Sequence, residues 1–146
     1  MIDEAIKNYE TFGQQIYILE GIGNIGVNEI RNQINQHIQF TGKAPVVIVD
    51  YLQILAPSNE RATDKQNTDK AVLELKRISR DYKIPVLGIS SFNRENYNVE
   101  VSMQAFKESG AIEYSSDVLI GLQLYRAGSG NFNVDEERKK IHVKWN

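Results

Sequence analysis

Asp50 stands directly after four consecutive β-branched residues, Val46-Val47-Ile48-Val49, and before Tyr51-Leu52-Gln53. A run of this type, entered from Gly42-Lys43-Ala44-Pro45, predicts a strand that stops on Asp50, covered on both faces as in a central parallel sheet. Ligands of open α/β sheets gather outside the carboxyl ends of the strands, so a carboxylate at that point can meet a nucleotide and its cation. The remaining composition narrows the cation. Absence of cysteine excludes disulfides and thiolate metal sites, and His37 and His142 are far apart in sequence, so any metal is expected to be a hard ion held by oxygen.

A second group with possible chemistry is Gly21-Ile22-Gly23-Asn24-Ile25-Gly26, which has the G-x-G-x-x-G spacing of a dinucleotide-binding turn. It follows a predicted strand, precedes a predicted helix, and is followed by Asp50 at the end of the next strand, the context that such a turn requires. Two details oppose that reading. Glu20 would set a carboxylate against an incoming pyrophosphate, and Val27 and Asn28 replace the small residues that let helix and strand approach. A plain flexible loop is the competing interpretation.

The elements that position these residues follow from periodicity. Ile2, Ala5, Ile6 and Tyr9 share one face of a predicted helix that ends at Gly13. Residues 15–19 alternate weakly and predict a strand, and residues 20–26 a glycine-rich turn. Val27, Ile30, Ile34 and Ile38 recur at helical spacing, with Gly42 and Pro45 closing that helix. Past a polar loop over residues 56–66, Asn67 or Thr68 is the expected cap of a helix whose buried stripe is Ala71, Val72, Leu75, Ile78 and Tyr82. Residues 85–90 then predict a second buried strand, and a strand, crossover helix and strand form a β-α-β unit. Short helices around 101–108 and 111–114, a third strand over 117–124 and a hairpin over 126–145 complete the pattern.

Bulk properties set further bounds. A chain of 146 residues, 41% hydrophobic and 25% charged, has the make-up of one soluble domain with a real core. A net charge of -2 argues against coating nucleic acid through overall positive charge, but allows a few basic side chains on one loop. No apolar run approaches the roughly 18 residues of a membrane span, and Met-Ile-Asp-Glu-Ala-Ile lacks the blocks of a secretory signal. A cytoplasmic protein without a membrane partner is expected.

Three segments, taken in order, resemble one family. They are Val-Val-Ile-Val-Asp50-Tyr-Leu-Gln-Ile-Leu, Ile-Pro-Val-Leu-Gly-Ile-Ser-Ser91-Phe-Asn-Arg94, and Phe-Lys107-Glu-Ser-Gly-Ala-Ile-Glu113-Tyr-Ser-Ser-Asp117-Val-Leu-Ile. Together they are similar to the RecA-like motor domain of DnaB-type replicative DNA helicases, and the third is the most specific. The resemblance runs from Gln15 onward and implies an α/β fold with a RecA-like P-loop NTPase core. Its sheet would be mostly parallel, flanked by helices, and followed by a C-terminal β-hairpin.

The resemblance also implies roles. Asp50 would be the Walker B carboxylate, holding through water the Mg2+ that bridges the terminal phosphates of ATP. Ser91 occupies the position where the family usually carries a glutamine that senses the terminal phosphate and links it to the DNA loop. Lys107, Glu108 and Gly110 match that loop, which contacts the backbone of single-stranded DNA, and Arg94 is assigned with them. Lys144 matches the start of a basic element that reaches into a neighbouring subunit's nucleotide site, so a hexameric ring is the implied assembly.

No G-x-x-x-x-G-K-[ST] segment occurs in the sequence. In the family this phosphate cradle and the first strand lie upstream of the region matched here. Residues 1–146 are therefore expected to be the C-terminal portion of a RecA-like helicase domain, part of an ATP-dependent motor yet inactive as an isolated chain. A non-catalytic RecA-like interaction module is the alternative. An NAD(P)-dependent Rossmann oxidoreductase is a third class.

Overall fold

The computed structural model describes residues 2–21, 24–91 and 110–122. The short helix expected at 101–108 and the hairpin expected at 126–145 lie outside these residues. Helix α1 (Ile2–Phe12) forms where its periodicity predicts. Its apolar stripe does not join the core: Ile2, Ile6, Tyr9 and Phe12 are all exposed.

The strand expected at 15–19 is absent. A 3-10 turn (Gly13–Gln15) leads into Ile16 in extended geometry, and no described strand pairs with the residues that follow. Alternating apolar residues favour an extended chain, but a strand exists only where a neighbour supplies hydrogen-bonding partners. Tyr17 instead meets His37 edge-on, with ring centroids 4.9 Å apart.

Helix α2 (Val27–Thr41) buries Ile34 and rests Val27, Ile30 and Ile38 against the core. Gly42 ends it at φ 68, a left-handed conformation that glycine adopts without a Cβ penalty, and its N–H donates to Ile38 O at 2.8 Å. Strand β1 (Val47–Val49) ends just before Asp50, where the sequence predicts its end, and the chain then turns into a 3-10 turn (Leu52–Ile54).

Helix α3 (Asp64–Tyr82) starts three residues before the expected caps, Asn67 and Thr68. Thr63 is the cap: its Oγ1 accepts from Gln66 N at 3.2 Å, and Thr63 N donates to Gln66 Oε1 at 3.0 Å. Ala71, Val72, Leu75 and Ile78 are buried as expected, and Tyr82 is half-buried. Lys83, at φ 54, ends the helix and leads to strand β2 (Val86–Gly88).

The two strands pair in parallel, with Val47, Ile48 and Val49 opposite Val86, Leu87 and Gly88. The expected β-α-β unit is thus present, with α3 as its crossover. Helices cover one face. Val49 is buried in a cluster with Ile34, Leu52, Val72, Leu75, Ile78, Ile84 and Ile112, the last from helix α4 (Gly110–Ser115). Ile48 and Leu87, pointing the other way, remain 65% and 51% exposed. The expectation of a strand covered on both faces is therefore corrected: among the described residues only one face is covered. Residues 117–122 are likewise not a strand, and Val118, Ile120 and Leu122 are exposed.

Candidate functional site

Both strands end at the same edge, and the residues assigned to chemistry follow those ends. Asp50 comes directly after β1, and Ser90 and Ser91 lie just past β2. The edge is knitted by three hydrogen bonds. Ile89 N donates to Val49 O at 2.9 Å, Leu52 N donates to Ile89 O at 2.8 Å, and Gln53 Nε2 donates to Ser90 Oγ at 2.8 Å.

Asp50 and Tyr51 thus form a two-residue arch whose flanks, Val49 and Leu52, are both tied to one residue, Ile89. The arch needs a small residue below it. A Cβ on Gly88 would meet Leu52 Cδ2 at 3.2 Å, so glycine lets the buried Leu52 side chain settle over the end of β2.

The Asp50 side chain is exposed at this edge, free to face a ligand from solvent. Among the described residues no group of three or more histidine, cysteine, aspartate or glutamate side chains could cage a metal. Mg2+ in a nucleotide complex needs no such cage, since it keeps several waters and takes one or two carboxylates plus phosphate oxygens. Asp50 is a single exposed carboxylate of that kind, and the Ser90 hydroxyl is taken up by Gln53. Ser91 is exposed.

Gly110 opens α4, whose Ile112 is anchored in the core cluster. Lys76 of α3 holds the chain beyond α4 through both Asp117 carboxylate oxygens at 2.6 Å. The other assigned residues, Arg94, Lys107, Glu108 and Lys144, lie outside the described residues.

The glycine segment, of which residues 22 and 23 lie outside the described residues, does not have the context of a phosphate cradle. It lacks the preceding strand, and the N–H of Gly26 at the start of α2 donates to Glu29 Oε2 at 2.9 Å, so a carboxylate already occupies the helix N-terminus. The dinucleotide reading is corrected on those grounds.

Sequence reasoning gave Gln53 no role, because its bond to Ser90, 37 residues away in sequence, has no local signal.

A parallel β-α-β unit with a carboxylate at the carboxyl edge and helices packed beneath is the core of a RecA-like α/β domain. A profile of the DnaB-like helicase C terminal domain matches residues 2–145. The chain belongs to that family. It is 31% identical over 130 residues to the replicative DNA helicase DnaC of Bacillus subtilis, covering 86% of this chain and 27% of that protein. It is 25% identical to the replicative DNA helicase DnaB of Helicobacter pylori, covering 99% of this chain and 32% of that protein. A probable replicative DNA helicase of Trieres chinensis is 24% identical, with 94% of this chain and 30% of that protein covered.

Two solved structures agree. One is an ATPase domain, with a TM-score of 0.60, 25% identity, and coverage of 64% of this chain and 34% of that one. The other is a DnaB-like replicative helicase described with its interactions with primase, with a TM-score of 0.60, 25% identity, and coverage of 64% of this chain and 24% of that one. The chain spans about a third of the length of the curated relatives it matches.

Proposed function

We propose that this chain is the C-terminal portion of the motor domain of a replicative DNA helicase, in which ATP hydrolysis drives movement along single-stranded DNA. The observation that carries the reading is the hydrogen-bonded carboxyl edge, where Asp50 and Ser91 follow adjacent parallel strands in a chain that belongs to the helicase family. Asp50 would hold a hydrated Mg2+, and that group, when bound, would supply charge neutralisation at the terminal phosphates. Ser91 faces the terminal phosphate, with a side chain shorter than the usual glutamine.

Arg94, Lys107, Glu108 and Gly110 bind the strand, and Lys144 reaches toward the neighbouring subunit's nucleotide in a hexameric ring. One cation per subunit, repeated around a ring, gives a positive channel inside an acidic protein. The phosphate cradle is supplied by sequence outside these residues, so the isolated chain neither hydrolyses ATP nor unwinds. The compartment is the cytoplasm. No helix among the described residues is long and apolar enough to cross a membrane.

Asp50→Asn tests this reading in the protein expressed from its complete reading frame. The substitution keeps the shape but removes the charge that holds Mg2+. Nucleotide binding is expected to survive in part, while Mg2+-dependent turnover falls on the order of 100-fold or more. Turnover at the unsubstituted rate would remove Asp50 from the site.

A further inference from the structure

The bond from Gln53 to Ser90 lies between the two parts of the proposed machinery, and no role has yet been given to it. On one side is the Asp50 arch; on the other is the segment that begins at Ser91 and leads toward Arg94. Backbone bonds already tie Val49 and Leu52 to Ile89, so the main-chain ends of β1 and β2 are fixed together. The side-chain bond extends that tie by one residue on each strand, to the neighbour of Ser91.

Beyond Ser90 the described residues show no further hydrogen bond from this edge to Ser91. Leu52, buried at 6% exposure over Gly88, fixes where the turn crosses β2, and that fixes the reach of Gln53.

We infer that Gln53 and Ser90 form a positioning pair that holds the metal-binding arch and the Ser91 segment in one register, so that nucleotide at Asp50 and a DNA strand on the downstream loop act on each other. The inference rests on the helicase reading. The side-chain amide at this edge comes from the 3-10 turn after β1, through Gln53. Gln53 acts through Ser90, its hydrogen-bond partner.

The test compares ATP turnover with and without a single-stranded oligonucleotide, in the protein from the complete reading frame. Gln53→Ala and Ser90→Ala are each expected to lower the DNA-stimulated kcat about three- to tenfold, the size of one lost hydrogen bond, with the KM for ATP unchanged. The double variant should be no worse than either single one, because both remove the same bond. Ser90→Thr keeps the accepting hydroxyl and should retain stimulation. Both alanine variants are exposed or half-exposed changes outside the core, so folding is expected to survive. A stimulated wild type with unchanged stimulation in both alanine variants overturns the positioning pair alone. Additive losses in the double variant also overturn it. No DNA stimulation in the unsubstituted protein overturns the helicase reading and this inference with it.

Discussion

Among individual residues, chemistry concentrates on a few side chains because the backbone around them is over-determined. Asp50 is exposed, yet the atoms on either side of it are fixed by hydrogen bonds to Ile89, so its carboxylate starts from a defined point. The proposed DNA contact belongs to the same scale. Lys107→Ala removes one cation from the strand path, so single-strand affinity should weaken across all sequences. The slope of log affinity against log salt should fall by about one phosphate contact. Titrating a labelled oligonucleotide at several salt concentrations checks it, and an unchanged slope moves the DNA contact elsewhere. Arg31 has a different use: its hydrogen bond to Asp81, 2.9 Å long, raises its pKa further, so it stays charged while pinning α2 to α3.

Elements were legible in proportion to how much their signal depends on the local chain. Helices α2 and α3 were readable because Ile34, Val72, Leu75 and Ile78 recur at helical spacing, and burial follows that stripe. The start of α3 was misjudged because its first turn, Asp64-Lys65-Gln66, is polar and carries no apolar period. The Thr63 and Gln66 pair, three residues apart, was the overlooked capping signal. Thr63→Ala deletes the side-chain half of that box and should cost about 1 kcal/mol, seen as a lower thermal midpoint. An unchanged midpoint would mean that the first turn frays in solution. The strand expected at 15–19 failed for another reason. Ile16 and Ile18 have strand-forming side chains, but pairing is decided by what lies alongside, which no local pattern reports. The position of Asp50 at the carboxyl edge was readable, whereas the Gln53 bond was not, because it depends on a turn over a neighbouring strand 37 residues away.

For the molecule as a whole, two features stand together. One face of the parallel pair is built into a core, while Ile48, Leu87 and the apolar stripe of α1 stay open to solvent. The family match covers residues 2–145, and the curated relatives are about three times longer. Net charge of -2 argues against nucleic-acid binding by the general surface, so the proposed strand contact rests on a few cations. If the proposed edge is part of a motor, it should be silent without a phosphate cradle. The most direct measurement is therefore Mg2+-dependent ATP hydrolysis, with and without single-stranded DNA, by this chain and by the protein from its complete reading frame. The expected result is no turnover by the chain and DNA-stimulated turnover by the complete protein. Turnover by the chain alone, or none by the complete protein, would contradict it.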